Sequence, residues 1–193
     1  CPAHPVILID DSDVVKPDGC KFEDLGWVRD GSKSTSSKEK DFTSINDVAF
    51  SAMERAAALF GKAAFIMDEG YDDNKMFLKL DSMGQDYVIR LTSRRKLLCH
   101  NKWVSATELR NRRKGKVKLP LFYKGKMHEA YLSHVKVQIT ASRKDIYLVL
   151  VYGITEHPMM LATNREIRSK DDVIRAAMLY FSRWKIEEYF RCK

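Results

Sequence analysis

Carboxylates stand at three places in this chain where their neighbours point to chemistry as well as solubility. Val6-Ile7-Leu8-Ile9 is a β-branched apolar run that stops at Asp10 and Asp11. A second apolar run, 63–67, stops at Asp68, and Glu187 and Glu188 lie near the far end. Short apolar runs of this kind read as buried strands. Ligands at the carboxyl ends of neighbouring strands converge on one crevice. Hard divalent cations such as Mg2+ take oxygen ligands, and sites that handle phosphate often supply only a few carboxylates. A third acid must then come from elsewhere, and Glu187 and Glu188 are the candidates.

The stretch holding those glutamates reads as a helix from Ser169 to the end of the chain, opened by a capping box of Ser169 and Asp172. At about 100° per residue, Arg183 and Glu187 fall about 60° and 20° to one side of Tyr180. A phenol, a cation and a carboxylate therefore share one face. Ordinary amphipathic packing with an exposed Arg183–Glu187 ion pair accounts for the same face.

Net charge is +8, unevenly spread. Residues 90–118 hold eleven Lys or Arg, among them Arg90, Arg94, Arg95, Arg112, Arg113 and Lys114, against the single acid Glu108. That stretch carries +10, so the remainder of the chain sums to −2. Concentrated positive charge selects polyanions, nucleic acid first among them, with a solvated loop as the plain alternative.

The elements that must position these groups follow from pattern. A polar, low-complexity segment at 30–41 reads as a loop. Asn46 is placed to cap a helix whose apolar positions run Val48, Ala49, Ala52, Met53, Ala56, Ala57 and Phe60, with Gly61 as its stop. Asp72 or Asp73 caps a second helix running to about Met83, ahead of Gly84, and a third strand follows at 87–92. Beyond the basic stretch, strands are expected at 117–123 and 129–139 around the hairpin signal Lys124-Gly125-Lys126, then at 145–153 and 159–163. The 193 residues suit one domain, or one domain with a sizeable insertion, and 45% hydrophobic content is enough for a core.

Read with those elements, three blocks carry a resemblance. Tyr180-x-x-Arg183-x-x-x-Glu187 resembles the Tyr-Arg-Glu-Lys signature of bacterial insertion-sequence DDE transposases, and Arg183-Trp184-Lys185-Ile186-Glu187-Glu188 is similar to its usual wording. Asp68-Glu69-Gly70-Tyr71-Asp72 resembles the family's second block, usually Asp-Arg-Gly-Phe/Tyr-Asp. Residues 7–15 resemble the first, an apolar strand ending in Asp and followed by Ser or Thr. The interval from Asp68 to Glu187 leaves room for the family's β-rich insertion.

The resemblance implies an α/β fold: a ribonuclease H-like mixed sheet flanked by helices, with a β-rich insertion before the last helix. The catalytic core would be 1–92 with 158–193, and the basic insertion 93–157. It implies cleavage and strand transfer of DNA by two Mg2+ or Mn2+ ions. Asp68 would be the second metal carboxylate, Glu187 the third, and Asp10 or Asp11 the first; Ser12 favours Asp10. Tyr180 and Arg183 would contact DNA phosphate. Double-stranded DNA is the implied partner, with a dimer in the active complex and a bacterial, nucleoid-associated location. A ribonuclease H-like nuclease without strand transfer, or an inactive DNA-binding remnant, are the alternatives.

Two departures shape the expectations. The signature's closing Lys would fall at position 194, past Lys193. Two antiparallel strands usual between the first strand and the next helix are expected to be missing, their interval being taken by the polar loop. With no initiator Met, the chain reads as a fragment or decayed copy. Cys1, Cys20, Cys99 and Cys192 form no Cys-x-x-Cys pair, so zinc is not expected and a reducing cytoplasm is. No apolar run is long enough to cross a bilayer, and no signal peptide opens the chain. His100, His128, His134 and His157 share no face and read as surface or satisfied histidines. Trp103, beside Lys102, is placed to stack on a base or to pack against the hairpins.

Overall fold

The computed structural model describes residues 5–9, 45–139 and 142–184. Among the described residues nine strands form one mixed sheet: β1 (Val6–Ile9), β2 (Ala64–Met67), β3 (Asp86–Arg90), β4 (Lys96–Cys99), β5 (Lys102–Ser105), β6 (Val117–Tyr123), β7 (Lys126–Ile139), β8 (Asp145–Tyr152) and β9 (Met159–Thr163). The helices are α1 (Ile45–Phe60), α2 (Asn74–Ser82), α3 (Ala106–Asn111) and α4 (Lys170–Phe181). Strand order is β1-β2-β3-β9-β8-β7-β4-β5, with β6 paired to β7 off that path. The first three strands run parallel, and every later pairing is antiparallel. This is a mixed α/β sheet flanked by helices, as the resemblance implies.

Burial on both faces explains why β2 and the middle of β3 are so uniformly apolar. Phe65, Met67, Tyr87 and Ile89 face one core with Met53 of α1 and with Met76, Phe77 and Leu80 of α2. Ala64, Ile66 and Val88 face the other, with Val173, Ala176, Ala177 and Tyr180 of α4. Those α4 positions recur at helical spacing, and the two alanines let the helix lie close on the sheet. Ser169 and Asp172 form the capping box expected of them.

The sequence reading needs adjustment in three places. Asn46 lies inside α1, which begins at Ile45, and its amide donates to Asp73 Oδ2 at 3.1 Å. Within the β-rich region expected at 93–157, the sequence pattern places no element before 117, yet β4, β5 and α3 fill that part, burying Leu97, Val104, Ala106 and Leu109. Four-residue strands around a His100–Asn101 turn at positive φ leave little periodicity to see. The signal that was there is Ser105, whose hydroxyl accepts from the Glu108 amide and caps α3. Lastly, α4 does not run on unbroken. The Ser182 hydroxyl donates to the Leu179 carbonyl at 2.6 Å, and the Arg183 amide reaches back three residues to Tyr180 at 3.1 Å. That tightens the turn after Phe181, so the ideal helical phase used to align Glu187 with Tyr180 is interrupted before it. The strand pair expected to be missing concerns an interval outside the described residues.

Candidate functional site

Asp68 sits immediately beyond β2, at the carboxyl end of the parallel strands. It opens the 3-10 turn Glu69–Tyr71, yet its side chain makes no capping hydrogen bond. The carboxylate, 31% exposed, is left to meet groups from other elements. Tyr180 donates its hydroxyl to Asp68 Oδ1 at 2.9 Å, and Arg183 donates from Nη2 to Asp68 Oδ2 at 3.3 Å. Arg90, the last residue of β3, brings Nη1 to 3.6 Å from Asp68 Oδ1 and Nε to 3.5 Å from Glu69 Oε2. Two strands and the end of α4 thus deliver one phenol, two guanidinia and two carboxylates to one point.

The electrostatics follow from that packing. Burial, and then the negative charge of Asp68, push the Tyr180 phenol well above its ordinary range, so it stays a donor at neutral pH. Burial disfavours the Arg90 charge, but the facing Tyr180, Glu69 and Asp68 outweigh it and hold the guanidinium protonated even more firmly than usual. An arriving phosphate would find donors already aimed at an anion.

The residues singled out from sequence fall into three groups. Asp68, Tyr180, Arg183 and Arg90 are together. Arg90 had drawn notice only as part of the basic stretch; its place at the carboxyl end of the third parallel strand is the signal that could have marked it. The remaining basic candidates lie elsewhere. Arg94 is exposed beyond β3, Arg112 pairs with Glu108, Arg113 donates to the His134 carbonyl at 2.9 Å, and Lys114 is exposed. Arg95 is turned inward to Asp72. Asp10, Asp11 and Glu187 lie outside the described residues. Ile9, the residue before Asp10, pairs with Met67, the residue before Asp68.

Among the described residues no three His, Cys, Asp or Glu side chains gather into a metal-holding group. Asp68 is the one described member of the ligand set read from sequence. A partly exposed carboxylate at a strand end is the hard oxygen donor that Mg2+ or Mn2+ takes, so its chemistry fits. Burial, with Arg113 nearby, lowers the pKa of His134, and its ring packs beside Tyr147. Trp103 is exposed on β5. No helix of the described residues is long and apolar enough to cross a membrane.

No curated protein matches the chain. A family model does, the transposase DDE domain, over residues 33–193. That match takes in Asp68, Arg90, Tyr180 and Arg183 and covers well over half of the sequence, and the chain belongs to the transposase DDE domain family.

Proposed function

We propose that this chain is the catalytic domain of an insertion-sequence transposase that cuts and joins DNA on a ribonuclease H-like core, with Asp68 at the centre of its site. The observation that carries the reading is the convergence on Asp68 of Tyr180 and Arg183, 112 and 115 positions later in the chain. These are the first two residues of the signature-like block, and they meet the acid of the second block. Parallel β1, β2 and β3 beside α4 support the core assignment, residues 1–92 and 158–193, with 93–157 as the β-rich basic insertion.

In this reading Asp68, Glu187 and either Asp10 or Asp11 hold two divalent ions. When bound, such ions supply Lewis-acid activation of a water or 3′-hydroxyl and stabilise the leaving oxygen. The chain's own groups do the rest. Tyr180, Arg183 and Arg90 receive the scissile phosphate, exchanging a carboxylate partner for a phosphate one. Arg94, Arg112, Arg113 and Lys114 add affinity for DNA backbone independent of sequence. A dimer would bring two transposon ends together.

Strand transfer separates a transposase from a nuclease. Duplex oligonucleotides from the DNA bordering the coding frame, with free 3′-hydroxyls, are incubated with plasmid, the chain and Mn2+. Covalent joining of oligonucleotide to plasmid, lost with a 3′-deoxy end and with Asp68→Ala, supports the reading. Cutting without joining would favour a ribonuclease H-like nuclease, and metal-independent binding with neither would favour a DNA-binding remnant.

A further inference from the structure

Arg95 counts toward the basic stretch, but its surroundings are unlike those of an exposed phosphate contact. Its side chain is 10% exposed and that of its partner Asp72 is 1% exposed. Arg95 Nε donates to Asp72 Oδ1 at 2.7 Å and Nη2 donates to the Asp72 carbonyl at 2.7 Å. Nη1 donates to Asn74 Oδ1 at 2.6 Å, and the guanidinium lies over the Phe77 ring, 5.5 Å from its centroid. The other Asp72 oxygen, Oδ2, accepts from the Thr92 amide at 2.8 Å and from the Thr92 hydroxyl at 2.9 Å.

The two ends of this network are short tethers to the site. Asp72 closes the 3-10 turn that Asp68 opens, and the backbone between them is held by Tyr71 N to Asp68 O at 3.1 Å and Asp72 N to Glu69 O at 3.1 Å. Thr92 stands two residues beyond Arg90, and Leu91 N between them is fixed to Met160 O at 2.7 Å. The Asp72 carboxylate therefore fastens the segment after β2 to the segment after β3. Arg95 fixes that carboxylate with a planar fork, which an ammonium cannot reproduce. Side chains that hold a ligand in place govern its geometry nearly as strongly as the ligand itself.

We propose that Arg95, through Asp72, is a positioning residue that sets Asp68 against Arg90, and that it does not contact DNA. This rests on the reading of Asp68 as a metal carboxylate. The test uses the 193-residue chain and two readouts that need no turnover: Mn2+ affinity by electron paramagnetic resonance, and the salt dependence of duplex DNA binding. The variants are Arg95→Met, Arg95→Lys, Thr92→Val and Asp68→Ala. Lys144→Met serves as a control, since it breaks the remote Lys144–Asp81 ion pair. All are compared at a temperature where circular dichroism shows each one folded.

Arg95→Met is expected to weaken Asp68-dependent Mn2+ binding by about 10–100-fold. Arg95→Lys and Thr92→Val weaken it less, and Lys144→Met leaves it unchanged. The slope of DNA affinity against salt stays that of the unmodified chain. If Arg95→Met does not fold, Thr92→Val, which removes one hydrogen bond, carries the test. Unchanged Mn2+ affinity in the folded variants overturns the proposal. So does an equal loss in Lys144→Met, or a salt slope shallower by about 0.9, the value of one phosphate contact. Mn2+ binding no better in the unmodified chain than in Asp68→Ala would sink the metal reading of Asp68, and this proposal with it. That result is distinct from Asp68-dependent binding that ignores Arg95.

Discussion

Arg90, Arg95 and Arg183 differ from Arg112, Lys114 and Lys116 less in charge than in surroundings. The first three are drawn against Asp68, Glu69 and Asp72 where β2, β3 and α4 meet, partly or mostly out of water. The second three stand exposed beyond α3, with Glu108 as the partner of Arg112. A charge count over 90–118 treats Arg90 and Arg95 like Arg112, Lys114 and Lys116, yet burial gives them different work. Paired, half-buried charges fix geometry; solvated ones provide long-range attraction that salt screens.

The sharpest way to break this contrast is Asp72→Ala. It would leave Arg95 with its charge nearly buried and its main partner gone, a change that costs about 3–5 kcal/mol when a buried pair loses one member. Urea denaturation would measure it. A loss below about 1 kcal/mol, the range of exposed pairs, would erase the distinction between the two groups.

The paired group was only partly legible in the sequence. Asp68 could be read because an apolar run ending in an acid marks a strand tip, and Tyr180 and Arg183 because, with Glu187, they resemble the family's signature. Arg90 and Arg95 could not be told from their basic neighbours, since what separates them is the sheet order that sets β3 beside β2. Helix ends and the hairpin were legible for a local reason. Gly61, Gly84 and Gly125 all take positive φ, and Lys124 joins Gly125 in the turn between β6 and β7. β4, β5 and α3 escaped notice because, unlike the equally short but wholly apolar β1 and β2, they carry charged or polar positions and are set by tertiary pairing more than by their own pattern.

The exposed group is tested by neutralising Arg112 and Lys114 together with the half-buried Arg113 between them. Duplex DNA binding is expected to weaken, and its salt slope to flatten by up to about 2.7 if all three meet phosphate. Thermal stability should move little. An unchanged slope would make this cluster a solvated surface and shift the whole DNA contact to the Asp68 end.

The smallest effects are expected at the start of α4, which delivers Tyr180. Ser169→Ala should cost about 1 kcal/mol as a lost N-cap. Asp172 is held below the usual carboxylate range, chiefly by the Ser169 hydroxyl and then by the backbone amide of Arg168. With its folded pKa depressed, its contribution is present above the unfolded value and is lost as pH falls through the folded one. Asp172→Asn should therefore flatten the acid limb of stability below about pH 4. An unchanged acid limb would show that the cap does not carry that charge dependence.

The central claim is that Asp68 is the acid around which DNA is cut, and relaxation of supercoiled plasmid tests it most directly. Any nicking of supercoiled plasmid by the unmodified chain should require Mg2+ or Mn2+ and be lost with chelator. Asp68→Ala should abolish nicking while retaining a folded circular-dichroism spectrum and most of its DNA affinity. Nicking that persists at full rate in folded Asp68→Ala, still dependent on metal, would place the chemistry elsewhere and contradict the account.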